Sequence, residues 1–251
     1  MVASAQSRPV HRVDPVAEQA PVEAKQHYVF EGSRDATTGC SFTFTSGSGN
    51  KFLKFCVTKN GNITQFQSPS GVEYLATTPA GEGYAFCDFD TATQYFDYAG
   101  YGDSGNWQPP VTVSSSKTKV QIKRTTTDGI YTLTQTITQN AGQALAQVTM
   151  ALKNNIGGTH HVGLLRYADI DANNFASNNF DYTFNTAFGY NEGGNGLQLQ
   201  HVSGATLNGA YSQDIPGGPD SCQIFSSVFV QYDMELAKGA TKTVVDTYKA
   251  F

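Results

Sequence analysis

The densest run of chemically competent residues is HHVGLLRYADIDANN at 160–174. Read as a strand from His161 to about Ala168, it alternates. His161, Gly163, Leu165 and Tyr167 share one face, and His160, Val162, Leu164 and Arg166 share the other. A guanidinium at a strand end can clamp a carboxylate with two parallel hydrogen bonds, and Asp169 or Asp171 can supply that carboxylate internally. An enzyme would use His161 as a neutral base and one of these carboxylates as orienter or acid. Glu192, in the glycine-rich GYNEGGNG at 189–196, would complete a two-carboxylate couple of the glycosidase or lyase kind with Asp169 or Asp171. The plainer readings are a structural Arg–Asp pair, surface histidines and a solvated turn glutamate.

DIDANN also matches the start of an oxygen-rich calcium loop, with Asp169, Asp171 and Asn173 at positions 1, 3 and 5. The pattern then breaks: Asn174 stands where the turn glycine belongs, and Phe180 where the bidentate glutamate belongs. No cofactor is called for beyond calcium at this partial loop. An Asx turn after a strand explains the same residues.

A second concentration, YAFCDFDTATQYFDYAGYGDSGNW at 84–107, mixes eight aromatic rings with Asp88, Asp90, Asp97 and Asp103. Rings that stack on a sugar, beside carboxylates that accept its hydroxyls, make a recognition surface. The expected surface is Tyr98, Tyr101 and Trp107, with Asp97 and Asp103 as polar partners, and Trp107 faces solvent in it. The competing reading has half the rings plugging one end of a core. Asn62-Ile63-Thr64 matches a glycosylation sequon just after a tight turn, where Asn62 would be accessible.

The elements that must carry these residues are strands. Asn60-Gly61 joins runs at 51–59 and 62–67, and Asp128-Gly129 joins runs at 117–126 and 130–139. Further alternating runs lie at 144–153, 161–168, 182–190, 197–202, 223–236 and 241–250. Period 2 with one polar face indicates antiparallel sheets covered on one side. The expected fold is all-β: an antiparallel two-layer sandwich, large and supersandwich-like, over 29–251, behind a flexible tail at 1–28. That shape is common among sugar-acting proteins, which is an analogy of fold alone.

The chain's 16 basic and 21 acidic residues form no basic stripe, which argues against a nucleic-acid partner. No apolar run approaches the length of a membrane span. GxSxG, HExxH, GxGxxG and P-loop patterns are missing, which excludes the common serine esterases, zincins and nucleotide folds. Four cysteines and a polar, weakly charged composition suit a secreted, periplasmic or extracellular protein. Residues 1–28 lack the apolar region of a signal peptide, so an exported protein would already have lost its leader. Two functions fit: a non-catalytic module gripping a glycan or cell-surface partner through the aromatic loop, and, as the alternative, a carbohydrate-active enzyme of hydrolase, lyase or epimerase type.

Cys40 and Cys56 flank SFTFTSGSGNKFLKF, and a hairpin folded symmetrically about Ser48 sets them opposite each other. Directly opposed residues bring Cβ atoms about 5 Å apart, close to disulfide spacing. Cys87 and Cys222 are left as the second pair. Non-reducing peptide mapping should recover Cys40 linked to Cys56, and replacing one of them should cost about 2–4 kcal/mol in denaturant unfolding.

Overall fold

The computed structural model describes residues 39–75, 81–99, 102–174, 179–212 and 228–251. All belong to a unit that runs from Gly32 to Phe251. In chain order the strands are β1 (Phe42–Ser46), β2 (Leu53–Val57), β3 (Ile63–Gln67), β4 (Glu82–Asp88), β5 (Thr93–Tyr98), β6 (Gly102–Asp103), β7 (Val111–Ser115), β8 (Lys119–Thr125) and β9 (Tyr131–Asn140). They continue as β10 (Leu145–Asn154), β11 (His160–Ala168), β12 (Asn179–Thr183), β13 (Thr186–Tyr190), β14 (Gly196–Gly204), β15 (Leu207–Ser212), β16 (Val228–Leu236) and β17 (Thr241–Ala250). No α-helix occurs among the described residues.

The strands form three antiparallel sheets in a sandwich-like arrangement. An eight-stranded sheet runs β12-β13-β14-β17-β10-β9-β8-β7, and a six-stranded sheet runs β15-β16-β11-β4-β5-β6. These two layers share one apolar core, and the small sheet β1-β2-β3 sends Phe44, Leu53, Phe55, Val57, Ile63 and Phe66 into it. Alternation decides which side chains go in. In β10, Ala146, Val148, Met150 and Leu152 are buried, while Gln147 and Thr149 lie on the outer face. In β9, Thr132, Thr134, Thr136 and Thr138 do the same on the outside. Each large apolar side chain buried this way contributes about 1.5–3 kcal/mol.

The predicted 182–190 run is two strands, because Phe184-Asn185 turns the chain between β12 and β13. The Cys40–Cys56 disulfide is present, with Cα atoms 5.5 Å apart. Its geometry differs from a symmetric hairpin. Phe42 pairs with Val57 and Thr43 with Cys56, so Cys40 lies before β1 and reaches Cys56 diagonally. Cys87 also carries a disulfide, and the expected partner, Cys222, lies outside the described residues.

One turn departs from the usual pattern of solvent-facing tips. The Asn60-Gly61 tip of the β2–β3 hairpin is buried: Asn60 is 4 % exposed and Asn62 is 0 %. A buried turn must have its polar groups paired, because each orphan costs about 1–3 kcal/mol. Tyr84 Oη (2.9 Å) and Gln135 Nε2 (3.1 Å) donate to the Asn60 carbonyl, and Arg166 Nη2 (3.1 Å) donates to that of Gly61. The Ile63 amide donates to Glu82 Oε2 at 2.5 Å. Gly61 has φ of +94°, and a Cβ there would stand 2.3 Å from the Gln135 amide. Arg166 pairs with Glu82, both wholly buried, and also donates to Gln135 Oε1 at 2.6 Å and Tyr248 Oη at 3.1 Å. Breaking a buried pair strands the surviving charge. Glu82→Gln should therefore lower unfolding free energy by about 3–5 kcal/mol in urea titration, and adding Arg166→Met to it should recover part of that loss.

Candidate functional site

Strand pairing gathers a different set of catalytic-type residues from the one the sequence suggests. Because β4 and β11 pair with Asp88 opposite Val162, the end of β4 meets the start of β11. Asp88 is buried there. Its Oδ1 accepts the amides of Asp90 (3.0 Å) and Thr91 (3.3 Å), which shapes the turn into β5. Its Oδ2 accepts the Tyr131 hydroxyl at 2.8 Å and lies 2.8 Å from His160 Nδ1. Burial alone would raise the Asp88 carboxyl, but the bonds from Tyr131 and Thr91 and the nearby His160 hold it below the usual range. Burial pushes the Tyr131 hydroxyl far up, and its bond to Asp88 adds to this, so it stays a donor.

The carboxylate fixes the imidazole through Nδ1 and leaves Nε2 as the working nitrogen, the orienter–base arrangement of proton-transfer sites. Nε2 faces Gly157, where a Cβ would come within 3.1 Å of it. Asp90 is exposed beside the pair, with Oδ2 held by the His161 amide at 2.7 Å. Ligand atoms of Asp88, Asp90 and His160 lie within 4.8 Å of one another, so the group could coordinate a metal ion. Asp88 already accepts four hydrogen bonds, and coordination would require it to release one. Next to it, Tyr95 donates to Asp128 Oδ2 at 2.6 Å.

The residues singled out from the sequence fall in several places. His161 is exposed, its ring 5.0 Å from that of Phe89, and it is the neighbouring His160 that bonds a carboxylate. Arg166 is clamped by Glu82 rather than by Asp169 or Asp171, because its side chain points into the core and the two aspartates follow the end of β11. Asp169 and Asp171 anchor their loop through backbone bonds to Gly81 (2.6 Å) and Tyr74 (3.0 Å), and Asn173 adopts a left-handed backbone with φ of +60°. Glu192 is exposed on the β13–β14 turn.

Asp97, Tyr98 and Trp107 are buried, which corrects the recognition surface expected of them. Trp107 is 7 % exposed and donates its indole N–H to the Phe96 carbonyl at 3.1 Å. It packs edge-on to Tyr84, Phe86 and Tyr95, with Arg124 4.9 Å over its ring. Tyr98 is buried against Phe96 and Tyr167. Tyr101 lies outside the described residues. Asp97 is wholly buried, pairs with Arg124 and accepts Asn60 Nδ2 (2.8 Å) and Asn62 Nδ2 (2.5 Å), while Asp103 accepts the other Arg124 nitrogen at 2.9 Å. Asn62 is therefore a structural donor and not the accessible sequon asparagine that its turn position suggests.

No family model matches the sequence, and no curated protein does either. Solved structures do. A bacterial glucoamylase in complex with acarbose superimposes with a TM-score of 0.56 at 10 % identity, over 85 % of this chain and 33 % of that one. A heparinase III gives 0.52 at 9 % identity, over 86 % and 35 %. A polysaccharide lyase gives 0.50 at 10 % identity, over 81 % and 33 %. The likeness is one of fold. This chain shares their β-sandwich fold and spans about a third of the length of those proteins.

Asp97 has a pH consequence. Burial, opposed by Arg124, lifts its carboxyl from 3.8 to about 6. Between those values the folded protein holds a proton that the unfolded chain has lost, so stability falls as pH rises. Relative to Asp97→Asn, the wild type should lose on the order of 2–3 kcal/mol between about pH 4 and pH 7, read from urea unfolding at each pH.

Proposed function

We propose that the chain acts on carbohydrate as an enzyme, with His160 as the proton-transferring base, Asp88 as its orienter and Asp90 as the second carboxylate. The observation that carries this is the buried Asp88 holding His160 at 2.8 Å beside an exposed carboxylate. That arrangement can take a proton from a sugar hydroxyl or ring carbon and return it elsewhere, the chemistry shared by hydrolases, lyases and epimerases. The fold it shares with glucoamylase, heparinase and polysaccharide lyase supports a glycan as the substrate class. A purely binding role has less support, because Tyr98 and Trp107, two of the rings expected to stack on a ligand, are buried. Asp169 and Asp171 follow the other end of β11 from His160, and Glu192 lies beside Asn191, which bonds Ala172 at that same end, so these three carboxylates are left out of the proposed site. The Cys40–Cys56 bridge supports an oxidising, extracytoplasmic location.

Turnover should be sought on neutral and uronic-acid oligosaccharides by product chromatography. His160→Gln should lower it about 10²–10⁴-fold with the far-UV spectrum unchanged. Full activity in His160→Gln refutes the assignment, and ligand retention by the wild type with no product returns the case to a binding module.

A further inference from the structure

A second histidine–carboxylate connection crosses the sandwich away from Asp88. His201 on β14 is the cross-strand partner of Asp246 on β17, just before the bulge at His201/Ser203. Both lie on the core side of the eight-stranded sheet, His201 half-buried and Asp246 wholly buried. From the opposite sheet, Tyr232 on β16 places its hydroxyl between them. It hydrogen-bonds Asp246 Oδ1 and lies 3.0 Å from His201 Nδ1. The second carboxylate oxygen of Asp246 is buried and has no hydrogen-bond partner.

Two arrangements keep both hydrogen bonds of the chain with Asp246 Oδ1 either bare or protonated. Tyr232 has one proton to donate. When Asp246 is a carboxylate, that proton goes to Asp246. His201 must then donate from Nδ1 to the tyrosine oxygen, and its Nε2 is bare. When Asp246 is a carboxylic acid protonated on Oδ1, it donates to Tyr232, Tyr232 donates to Nδ1, and Nε2 carries the hydrogen. Moving between them needs no motion of heavy atoms. A proton from solvent bonds to Nε2, the Nδ1–H proton passes to the tyrosine oxygen, and the tyrosine proton passes to Asp246 Oδ1. One proton enters and one carboxylate is neutralised, while His201 and Tyr232 are uncharged before and after.

We propose that His201, Tyr232 and Asp246 form a proton relay in which the protonation of a buried carboxylate sets the tautomer of a solvent-reachable histidine. The surroundings favour it. The elements around Asp246 bring Val148 from β10, Tyr248 on β17 itself, and one cation, Arg166 from β11, which Glu82 of β4 already holds. Burial pushes Asp246 up to about 7, against the Tyr232 bond and the more distant Arg166. Burial also holds His201 below its ordinary value and Tyr232 far above its own, which favours the neutral form of both. His201 thereby becomes a proton-transfer site separate from His160.

Nitrogen-15 and carbon-13 NMR of the full chain, labelled at histidine and aspartate, tests this. In the wild type the Asp246 carboxyl carbon and both His201 nitrogens should change together with one midpoint near neutrality. Nδ1 should be protonated above the midpoint and Nε2 below it. Asp246→Asn should fix one His201 tautomer across that range, and Tyr232→Phe should make His201 titrate to the doubly protonated ring independently of Asp246. A wild-type His201 that keeps one tautomer while Asp246 titrates, or that charges in a step of its own, overturns the relay. If Tyr232→Phe does not fold, the wild-type and Asp246→Asn titrations decide between these outcomes.

Discussion

The buried hairpin tip at 58–62 is the constraint around which the polar interior is arranged. A turn inserted between two sheets brings carbonyls, amides and two asparagine side chains into a space otherwise filled with rings. Each needs a partner, and the partners must themselves be long and polar enough to reach across the core. Glu82, Tyr84, Asp97, Gln135 and Arg166 come from both sheets to meet it. Those groups then need partners of their own, which brings in Arg124, Asp103 and Tyr248. A low-dielectric interior makes such a network costly when incomplete and rigid when complete.

The same residue types consequently serve two ends. Where a carboxylate is met by a buried arginine and by the hairpin tip, as with Glu82 and Asp97, its oxygens are taken up in holding neighbouring groups in place. At the other end of β4, Asp88 holds a histidine that is 14 % exposed and whose far nitrogen faces Gly157. Glu82 and Asp88 end the same strand and are equally buried, and what differs is the partner: a wholly buried arginine for one and a partly exposed histidine for the other.

Local pattern predicted the fold well. Thr132 to Thr138 alternate with Leu133, Gln135 and Ile137, and one period-2 run tells both strand and face. Asn60-Gly61 and Asp128-Gly129 mark real turns, although not the two-residue primed kind: only the glycine of each pair has positive φ, and the chain turns over longer loops in which the Gly61 and Gly129 amides donate to the Thr58 and Thr126 carbonyls. The two large layers follow from those same runs, whereas the separate sheet β1-β2-β3 does not. What the sequence could not show was which side of the surface a turn lies on. Asn60 and Asn62 look solvent-facing until Asp97 is placed 35 residues from Asn62, and the rings around Trp107 look like a ligand surface until Arg124 is laid over them. His160 and Asp88 are 72 residues apart and meet only because β4 and β11 pair. Neither residue has a local signal that names the other. The Cys40–Cys56 bridge was legible in its partners but not in its register, since Gly47 and Gly49, both at positive φ, shift the turn away from symmetry about Ser48.

The enclosed hairpin tip also bears on the order in which the chain is assembled. Once the eight- and six-stranded layers have met, a polar turn has no route between them that avoids tearing open paired strands. The hairpin formed by residues 53–67 must therefore be waiting between the layers as they close, held by groups as far along the chain as Arg166. Contacts of such long sequence separation slow the search for the native state, because the loop entropy is lost before the reward arrives. Closure becomes all-or-none around the tip, with little room for one layer to form on its own. A protein built this way gives up speed of folding and gains a sandwich whose layers are keyed to each other through a single inserted loop.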